Sequence, residues 1–151
     1  MKKRMIALLL CAALLCALLM QMVSAAETTE IVETDEEIRV KCSEVLEAVI
    51  NKTTGVMTFE VTGEINLSVD AMGQTTFAPF SDYIKQVIFP LQLRSINHDS
   101  FAGCTRLERI ELSVNISYIG ENAFKGCTSL ERVELPASIS SIDYSAFEAR
   151  T

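Results

Sequence analysis

The chain has 151 residues and a formal net charge of −7, and 49% of its residues are hydrophobic. It has one histidine, no Cys-x-x-Cys pair and no glycine-rich phosphate loop, so the usual sequence signals of metal, redox and nucleotide chemistry are missing. The acidic balance disfavours nucleic acid and anionic lipid as partners, because both present negative phosphate groups.

Residues 1–26 have the pattern of a secretory signal peptide. Residues 2–4 are basic, residues 5–20 form an uninterrupted apolar run, and residues 23–26 offer small side chains for cleavage. The run is shorter than the roughly 20 residues of a transmembrane helix, which favours a cleaved signal peptide. An uncleaved membrane anchor is the alternative. Three of the 13 basic residues and none of the 20 acidic ones lie here, so the exported part carries 10 − 20 = −10 charges. We expect a secreted or cell-surface protein that has no membrane segment after cleavage.

Residues 27–37 are acidic and polar and show no apolar periodicity. This composition predicts a solvated linker between the cleavage site and the fold. A calcium site is the alternative for the carboxylates, but the segment lacks the glycine and the terminal glutamate of a calcium loop. We therefore predict no metal site.

Residues 38–86 begin with the pattern of a β-hairpin. Residues 45–50 are rich in β-forming side chains, residues 51–55 read as a turn, and alternating apolar residues follow from Met57 to Val61. We expect this hairpin to cover the first coil of the repeats that follow it, where an apolar end and a strand edge would otherwise be open.

Residues 87–151 repeat one pattern at a fixed interval, and the last unit is incomplete. Phe101, Phe124 and Phe147 are spaced by 124 − 101 = 23 and 147 − 124 = 23 residues, and Cys104 and Cys127 have the same offset. Such a period is typical of a solenoid in which each coil buries its apolar residues against the next.

Within each unit, two apolar patterns predict the walls of a coil. Leu107, Ile110 and Leu112 fit a strand, which residues 130–135 repeat, and copies in register would form a parallel sheet along one side. The second pattern is a pair of isoleucines or leucines, such as the pair in residues 116–119, and we expect it to close the opposite wall.

Asn97, Gly120 and Asp143 follow this second pair at equivalent positions in the three units. These three residue types adopt positive φ at little cost, so we expect a tight left-handed corner at this column. A short turn should follow the corner and carry the phenylalanine column.

The repeats resemble a known family. SINHDSFAGCTRLERIEL (residues 95–112) and SYIGENAFKGCTSLERVELP (residues 117–136) look like the leucine-rich repeats of bacterial BspA-type surface proteins, and the preceding segment is similar to their cap. The resemblance implies a mainly β, right-handed leucine-rich-repeat solenoid, with a parallel β-ladder, short turns or helical pieces and a β-hairpin cap. It also implies a secreted or surface-attached adhesion module that binds a protein or glycan without catalysis or cofactor.

Polar columns lie between the buried positions of each predicted strand. We name this set the ladder face and predict that it is the binding surface: Lys85, Gln86, Glu108, Arg109, Glu111, Glu131, Arg132 and Glu134. The alternative is that the arginines only offset repulsion between neighbouring glutamates. Phe101, Phe124 and Phe147 are predicted to be structural.

Three cysteines remain after residues 1–26, namely Cys42, Cys104 and Cys127. Stacked positions in adjacent coils fall within the separation that a disulfide allows, so a bond between Cys104 and Cys127 is one alternative. The family resemblance implies the other, a buried column of free thiols that behave as small apolar side chains.

No catalytic residues are predicted. His98, Asp99 and Ser100 are sequence neighbours at a corner, where adjacent side chains cannot readily form the chain of contacts that a triad needs.

The last unit stops at Thr151, before its Cys-x-x-Leu segment. The strand expected at residues 130–135 would then have an open edge, which reflects a truncated reading frame or an edge that pairs with a partner or a second copy. Self-association as an assembly element is therefore the alternative to ligand binding. An exported hydrolase is a third hypothesis.

Overall fold

A computed structural model of the chain describes residues 30–62 and 76–148, and the predicted signal peptide lies outside these residues. The described part is mainly β, as predicted. Its strands are β1 (Ile31–Glu33), β2 (Glu37–Lys41), β3 (Leu46–Asn51), β4 (Val56–Val61), β5 (Gln86–Ile88), β6 (Ser95–Ile96), β7 (Arg109–Glu111), β8 (Tyr118–Ile119) and β9 (Ser141–Ile142), with a single 3-10 turn at Ala78–Phe80. Within the two described ranges, no helix has the length and apolarity to cross a bilayer.

The strands form two sheets, which are the two walls of the solenoid. One sheet has six strands in the order β1-β2-β3-β4-β5-β7, and the other has three in the order β6-β8-β9. We define the first, second and third coils as residues 85–107, 108–130 and 131–148. Strands of successive coils pair in parallel at the predicted 23-residue offset, as in Val87 with Ile110 and Ile96 with Ile119.

The cap contains the predicted hairpin, β3 and β4, and two further strands. Ile38 and Val40 of β2 are buried and alternate with partly exposed polar residues, which is the period of a strand with one face on the core. Part of the segment predicted as a linker is therefore structured, since residues 31–33 form β1 and β2 begins at Glu37. Lys52 holds β1 in place by pairing with Glu33.

The cap joins the first coil because β4 belongs to both. This strand is antiparallel to β3 and parallel to β5, with Val56 opposite Gln86. Gly55, at φ +74°, accepts hydrogen bonds through its carbonyl from the backbone N–H groups of Lys85 (2.8 Å) and Gln86 (3.1 Å). The carbonyl of Lys85 receives the same pair of bonds from the next coil, so the hairpin takes the place of a preceding coil.

The third coil differs from the prediction. Residues 130–135 contain no strand, so the six-stranded sheet ends at β7 in the described part of the chain. Val133 is partly exposed, whereas its equivalent Ile110 is 6% exposed, because no described residue packs on its outer side. The opposite wall continues one coil further, through β9.

The left-handed corner was predicted two residues too early. Positive φ occurs at Asp99 (57°), Asn122 (55°) and Ser145 (56°), and not at the column of Gly120. The prediction was wrong because Gly120 is required for a different reason. A Cβ atom there would lie 2.6 Å from the backbone nitrogen of His98, so the backbones of the two coils lie close together at this point.

A column of stacked phenylalanines forms the centre of the core. Phe101 and Phe124 have ring centroids 5.3 Å apart, and Phe124 and Phe147 are separated by 5.2 Å. Phe77 extends the column, with its ring 5.0 Å from that of Phe101. Phe77 was not predicted to belong to the column, because its offset is 101 − 77 = 24 rather than 23 and no repeat strand precedes it.

Candidate functional site

The ladder face is built by β5 and β7. Val87 and Ile110 point into the core, so their neighbours in each strand point outward. The parallel register places Gln86 beside Arg109, and it places Ile88 beside Glu111. The outward residues of these two strands are therefore neighbours on one face.

Glu111 is the centre of a small polar network on this face. Gln86 Nε2 donates to Glu111 Oε1 at 2.8 Å, and Arg109 Nη2 lies 3.2 Å from the same oxygen. The Arg109 side chain keeps 68% of its surface exposed. Exposed ion pairs contribute little to stability, so this pair orients the guanidinium more than it holds the fold together.

The third coil repeats the Arg–Glu ion pair, although its residues form no strand at this position. Arg132 Nη2 lies 3.3 Å from Glu134 Oε1, and both side chains are 83% exposed. Arg132 and Glu134 thus keep their predicted outward direction, although residues 130–135 are not in a strand.

The remaining column of the ladder face lies at its margin. Lys85 is half-buried because its side chain crosses Gly55, where a Cβ atom would meet Lys85 Cγ at 2.8 Å. Glu108 and Glu131 are exposed. Their role in binding stays a prediction.

The outward side of the cap continues the ladder face, and the sequence analysis missed it. Arg39 of β2 contacts three carboxylates: Glu37 at 3.1 Å, Glu47 at 3.1 Å and Glu60 at 2.9 Å. Its hydrogen bonds and charge lower the pKa of the Glu60 carboxyl. Because Met57 of β4 points inward beside Val87, Glu60 and Gln86 lie on the same side of one sheet. The alternation in residues 37–41 was the signal that could have revealed this extension.

Cys104 and Cys127 are free thiols in the core, and Cys42 is buried as well. The Cys127 thiol donates to the carbonyl of Phe101 at 3.2 Å. Burial raises the pKa of Cys104 to about 12 and that of Cys127 to about 11, so both thiols are protonated at neutral pH. They act as part of the core.

The residues of the hypothetical hydrolase site do not assemble. Ser100 is fully buried and its hydroxyl donates to the carbonyl of Asn97 at 3.1 Å, whereas His98 is exposed. Asp99 has the left-handed backbone of the corner. Within residues 30–62 and 76–148, no group of His, Cys, Asp and Glu side chains is placed to hold a metal ion.

Comparison with known proteins gives one family and three similar structures. The family model described as "BspA type Leucine rich repeat region (6 copies)" matches residues 62–151, which is more than half of the chain. No curated protein matches the sequence.

The similar structures are leucine-rich-repeat proteins from three bacteria. The protein from Eubacterium ventriosum is 16% identical, with a TM-score of 0.47 over 70% of this chain and 25% of its own. For the protein from Bacteroides capillosus the identity is 26%, the TM-score 0.45 and the coverage 75% and 87%. The T. pallidum protein is 21% identical, with a TM-score of 0.42 and coverage of 80% and 53%. The chain therefore spans a quarter of the first protein and about half of the third.

Proposed function

The chain belongs to the family of BspA-type leucine-rich-repeat proteins, and we propose that it is a non-enzymatic module that binds a protein through its ladder face. Proteins with leucine-rich repeats are in general binding modules with protein partners. The proposal for this chain adds the surface that binds and the chemistry of its partner.

The observation that carries the proposal is the fixed geometry of the exposed polar side chains on β5 and β7. Arg109 is exposed and is oriented by Glu111, which also accepts a hydrogen bond from Gln86. The core needs none of these side chains. The Arg109–Glu111 pair, which Arg132 and Glu134 repeat in the next coil, suits a partner that carries the complementary alternation of charge.

We propose further that the protein acts outside the bacterial cell. BspA-type proteins are typically secreted or located at the surface of bacteria. The basic, apolar and small residues of segment 1–26 fit a cleaved export signal. The net charge of −10 after cleavage disfavours nucleic acid as the partner and favours solubility outside the cell.

An array of immobilised extracellular-matrix proteins and glycans tests the binding proposal. We expect the purified protein to be captured by at least one protein spot, and Arg109→Glu to reduce that capture while leaving the circular dichroism spectrum unchanged. Capture by glycans alone would replace the protein partner by a carbohydrate. Capture that is equal for Arg109→Glu would remove the ladder face as the site.

Self-association is a second candidate, favoured by the exposed apolar side chains of the third coil. Leu135 is 49% exposed and Ile142 is 40% exposed, and both belong to columns that are more buried in the preceding coils. Burial of such residues against a second copy is favourable. A molecular mass that rises with concentration in sedimentation experiments would support this candidate, and a constant monomer mass would exclude it.

A further inference from the structure

The charged pair of the ladder face is not repeated in every strand of the sheet. In β7 it consists of Arg109 and Glu111, and the third coil repeats it. The parallel register places Gln86 of β5 beside Arg109 and Ile88 beside Glu111, so the first coil has an amide and an apolar side chain at these positions. The pattern of the repeats therefore changes on the outward side of the first coil.

The last strand of the cap continues this uncharged region. Val56 of β4 lies opposite Gln86, and Thr58 follows it on the same side of the strand. Val56 and Ile88 are partly exposed although both side chains are apolar. Because β4 and β5 join the cap to the first coil, we name their four outward residues the seam: Val56, Thr58, Gln86 and Ile88.

Charged groups flank the seam on both sides. On the cap side, Arg39 contacts three carboxylates, so this cluster has a net charge of 1 − 3 = −2. Lys41, the other basic residue of β2, lies 3.4 Å from Glu44. On the side of the coils, the side chain of Arg109 is 68% exposed. An apolar centre with a charged rim is the usual anatomy of a contact between two proteins.

We infer that the seam is the centre of the recognition surface and holds an extended segment of the partner protein that crosses the strands. This inference rests on the proposed function and adds the chemistry of the partner. The segment presents an apolar side chain to Val56 and Ile88, a basic one to the glutamates of the cap and an acidic one to Arg109. Strands β2 and β7 are four strand spacings apart, about 19 Å at about 4.8 Å each, which about six residues of extended chain span.

Removal of apolar surface from the seam tests the inference. The double variant Val56→Thr, Ile88→Thr keeps β-branched side chains, which suit strands, but replaces apolar groups by hydroxyls. We expect it to raise the dissociation constant for a protein captured on the array about tenfold or more. Ile88→Glu is a second variant and should weaken binding in the same way. The fold should accept it, because both equivalent positions of the later coils hold glutamate.

Val114→Thr is the matched control. Val114 is 69% exposed and lies three residues beyond the end of β7, outside the seam. The substitution makes the same chemical change as Val56→Thr and should leave the capture unchanged. Circular dichroism melts verify that each variant is folded.

Short overlapping peptides of the captured protein test the order of charges in the partner. Peptides that compete with capture should contain an apolar residue between a basic and an acidic one. Competition by peptides that lack either charge would overturn the partner chemistry inferred here.

The outcomes separate this inference from the proposed function. Capture that falls for Arg109→Glu but is equal for the wild type and the double seam variant would overturn the inference and leave the ladder face as the site. Equal loss of capture for Val56→Thr and Val114→Thr would also overturn it. Capture that is equal for the wild type and Arg109→Glu, or no capture by any protein on the array, would overturn both.

Discussion

Gly120 lies where the backbone of its coil comes close to that of the preceding coil. A Cβ atom at this position would lie 2.6 Å from the His98 nitrogen and 2.9 Å from the Asn97 carbonyl carbon. Backbone atoms in a paired wall cannot move aside as the end of a flexible side chain can. We expect Gly120→Ala to lower the free energy of unfolding by about 3 kcal/mol, in the range of overpacked cores. Urea denaturation measures this loss.

Gly103→Ala is the control for Gly120→Ala. Gly103 has φ +78°, and no atom lies within 4 Å of its added Cβ in the described residues. The cost is then the strain of the left-handed backbone alone, about 1 kcal/mol. Equal losses of unfolding free energy in the two variants would contradict the claim that Gly120 is needed because the coils lie close together there.

Ser113 occupies a corner at which the neighbouring coils have proline. Its equivalents are Pro90 and Pro136, and its buried hydroxyl has no hydrogen-bond partner among the described residues. Ser113→Pro removes this unpaired hydroxyl and restricts the unfolded chain at a position where proline already fits. We expect a gain of about 0.5–1 kcal/mol in the free energy of unfolding. Thermal melts that show a lower transition temperature would refute this expectation.

The buried thiols make folding stability depend on alkaline pH. The pKa values of Cys104 and Cys127 rise from 9.0 to about 12 and about 11, chiefly through burial. Above pH 9 the unfolded chain loses thiol protons that the folded chain retains, so stability that is present below pH 9 falls as the pH rises toward 11. Other groups titrate in this range, and the contribution of the thiols is therefore measured by difference.

The double variant Cys104→Ala, Cys127→Ala provides that difference. Urea midpoints measured from pH 8 to 10.5 should decline less steeply for the variant than for the wild type. The difference between the two slopes should equal the contribution of thiol ionisation to unfolding. Parallel slopes would mean that the two thiols ionise equally in the folded and unfolded states.

At the residue scale, the sequence predicts features that depend on the spacing of residue types. It did not predict which residues adopt positive φ, because that depends on backbone angles that spacing does not determine. The fixed period identifies equivalent positions in successive coils, and the rings of Phe101 and Phe124 stack at two of these positions. The positive-φ column was misplaced because Gly120 tolerates two different constraints, positive φ and close approach. Asp99 and Asn122 were the better signal, since both types adopt the left-handed region and they share one column.

At the scale of elements, we expect the phenylalanine column to contribute strongly to the stability of the coil stack, because its rings are stacked in the core. Phe124 is 1% exposed and lies between Phe101 and Phe147, with centroid distances of 5.3 Å and 5.2 Å. We expect Phe124→Ala to cost about 3–5 kcal/mol, as for other large core deletions. This is a substantial part of the stability of a single domain.

Phe147→Ala is the matched comparison for Phe124→Ala. Among the described residues Phe147 stacks on the ring of Phe124 alone, and it is partly exposed, so its truncation should cost less than that of Phe124. Circular dichroism melts measure both variants. A transition temperature that barely changes for Phe124→Ala, or that falls equally for both variants, would contradict the expectation that Phe124 stabilises the fold more than Phe147.

The elements that sequence reasoning missed are those whose structure depends on distant contacts. Strand β1 lies in an acidic segment without periodicity, and its pairing with β2 and the contact from Lys52 to Glu33 define it. The strand expected at residues 130–135 has the right sequence pattern, but the described part of the chain places no strand beyond it. Local pattern therefore predicted strands in the repeats, and tertiary context decided which of them form.

At the scale of the whole molecule, one sheet connects the cap to the repeats. Arg39 and its three glutamates lie on the same side of this sheet as Arg109 and Glu111. The outward surface that a partner could contact is therefore longer than the ladder face predicted from the repeats alone. The sequence predicted the architecture and the charged columns, but continuity across the cap depends on β4, whose two partners lie far apart in the chain.

The central claim is that the ladder face is the recognition surface. Its most direct test is the dissociation constant for a protein captured on the array, measured side by side for the wild type, Arg109→Glu and Arg94→Glu. Arg94 is exposed beside β6 on the opposite wall, so both variants change the net charge equally and differ only in location. We predict that Arg109→Glu weakens binding about tenfold or more, equivalent to about 1.4 kcal/mol, while Arg94→Glu leaves it unchanged. Equal affinities for the wild type and Arg109→Glu, or a loss confined to Arg94→Glu, would contradict the claim.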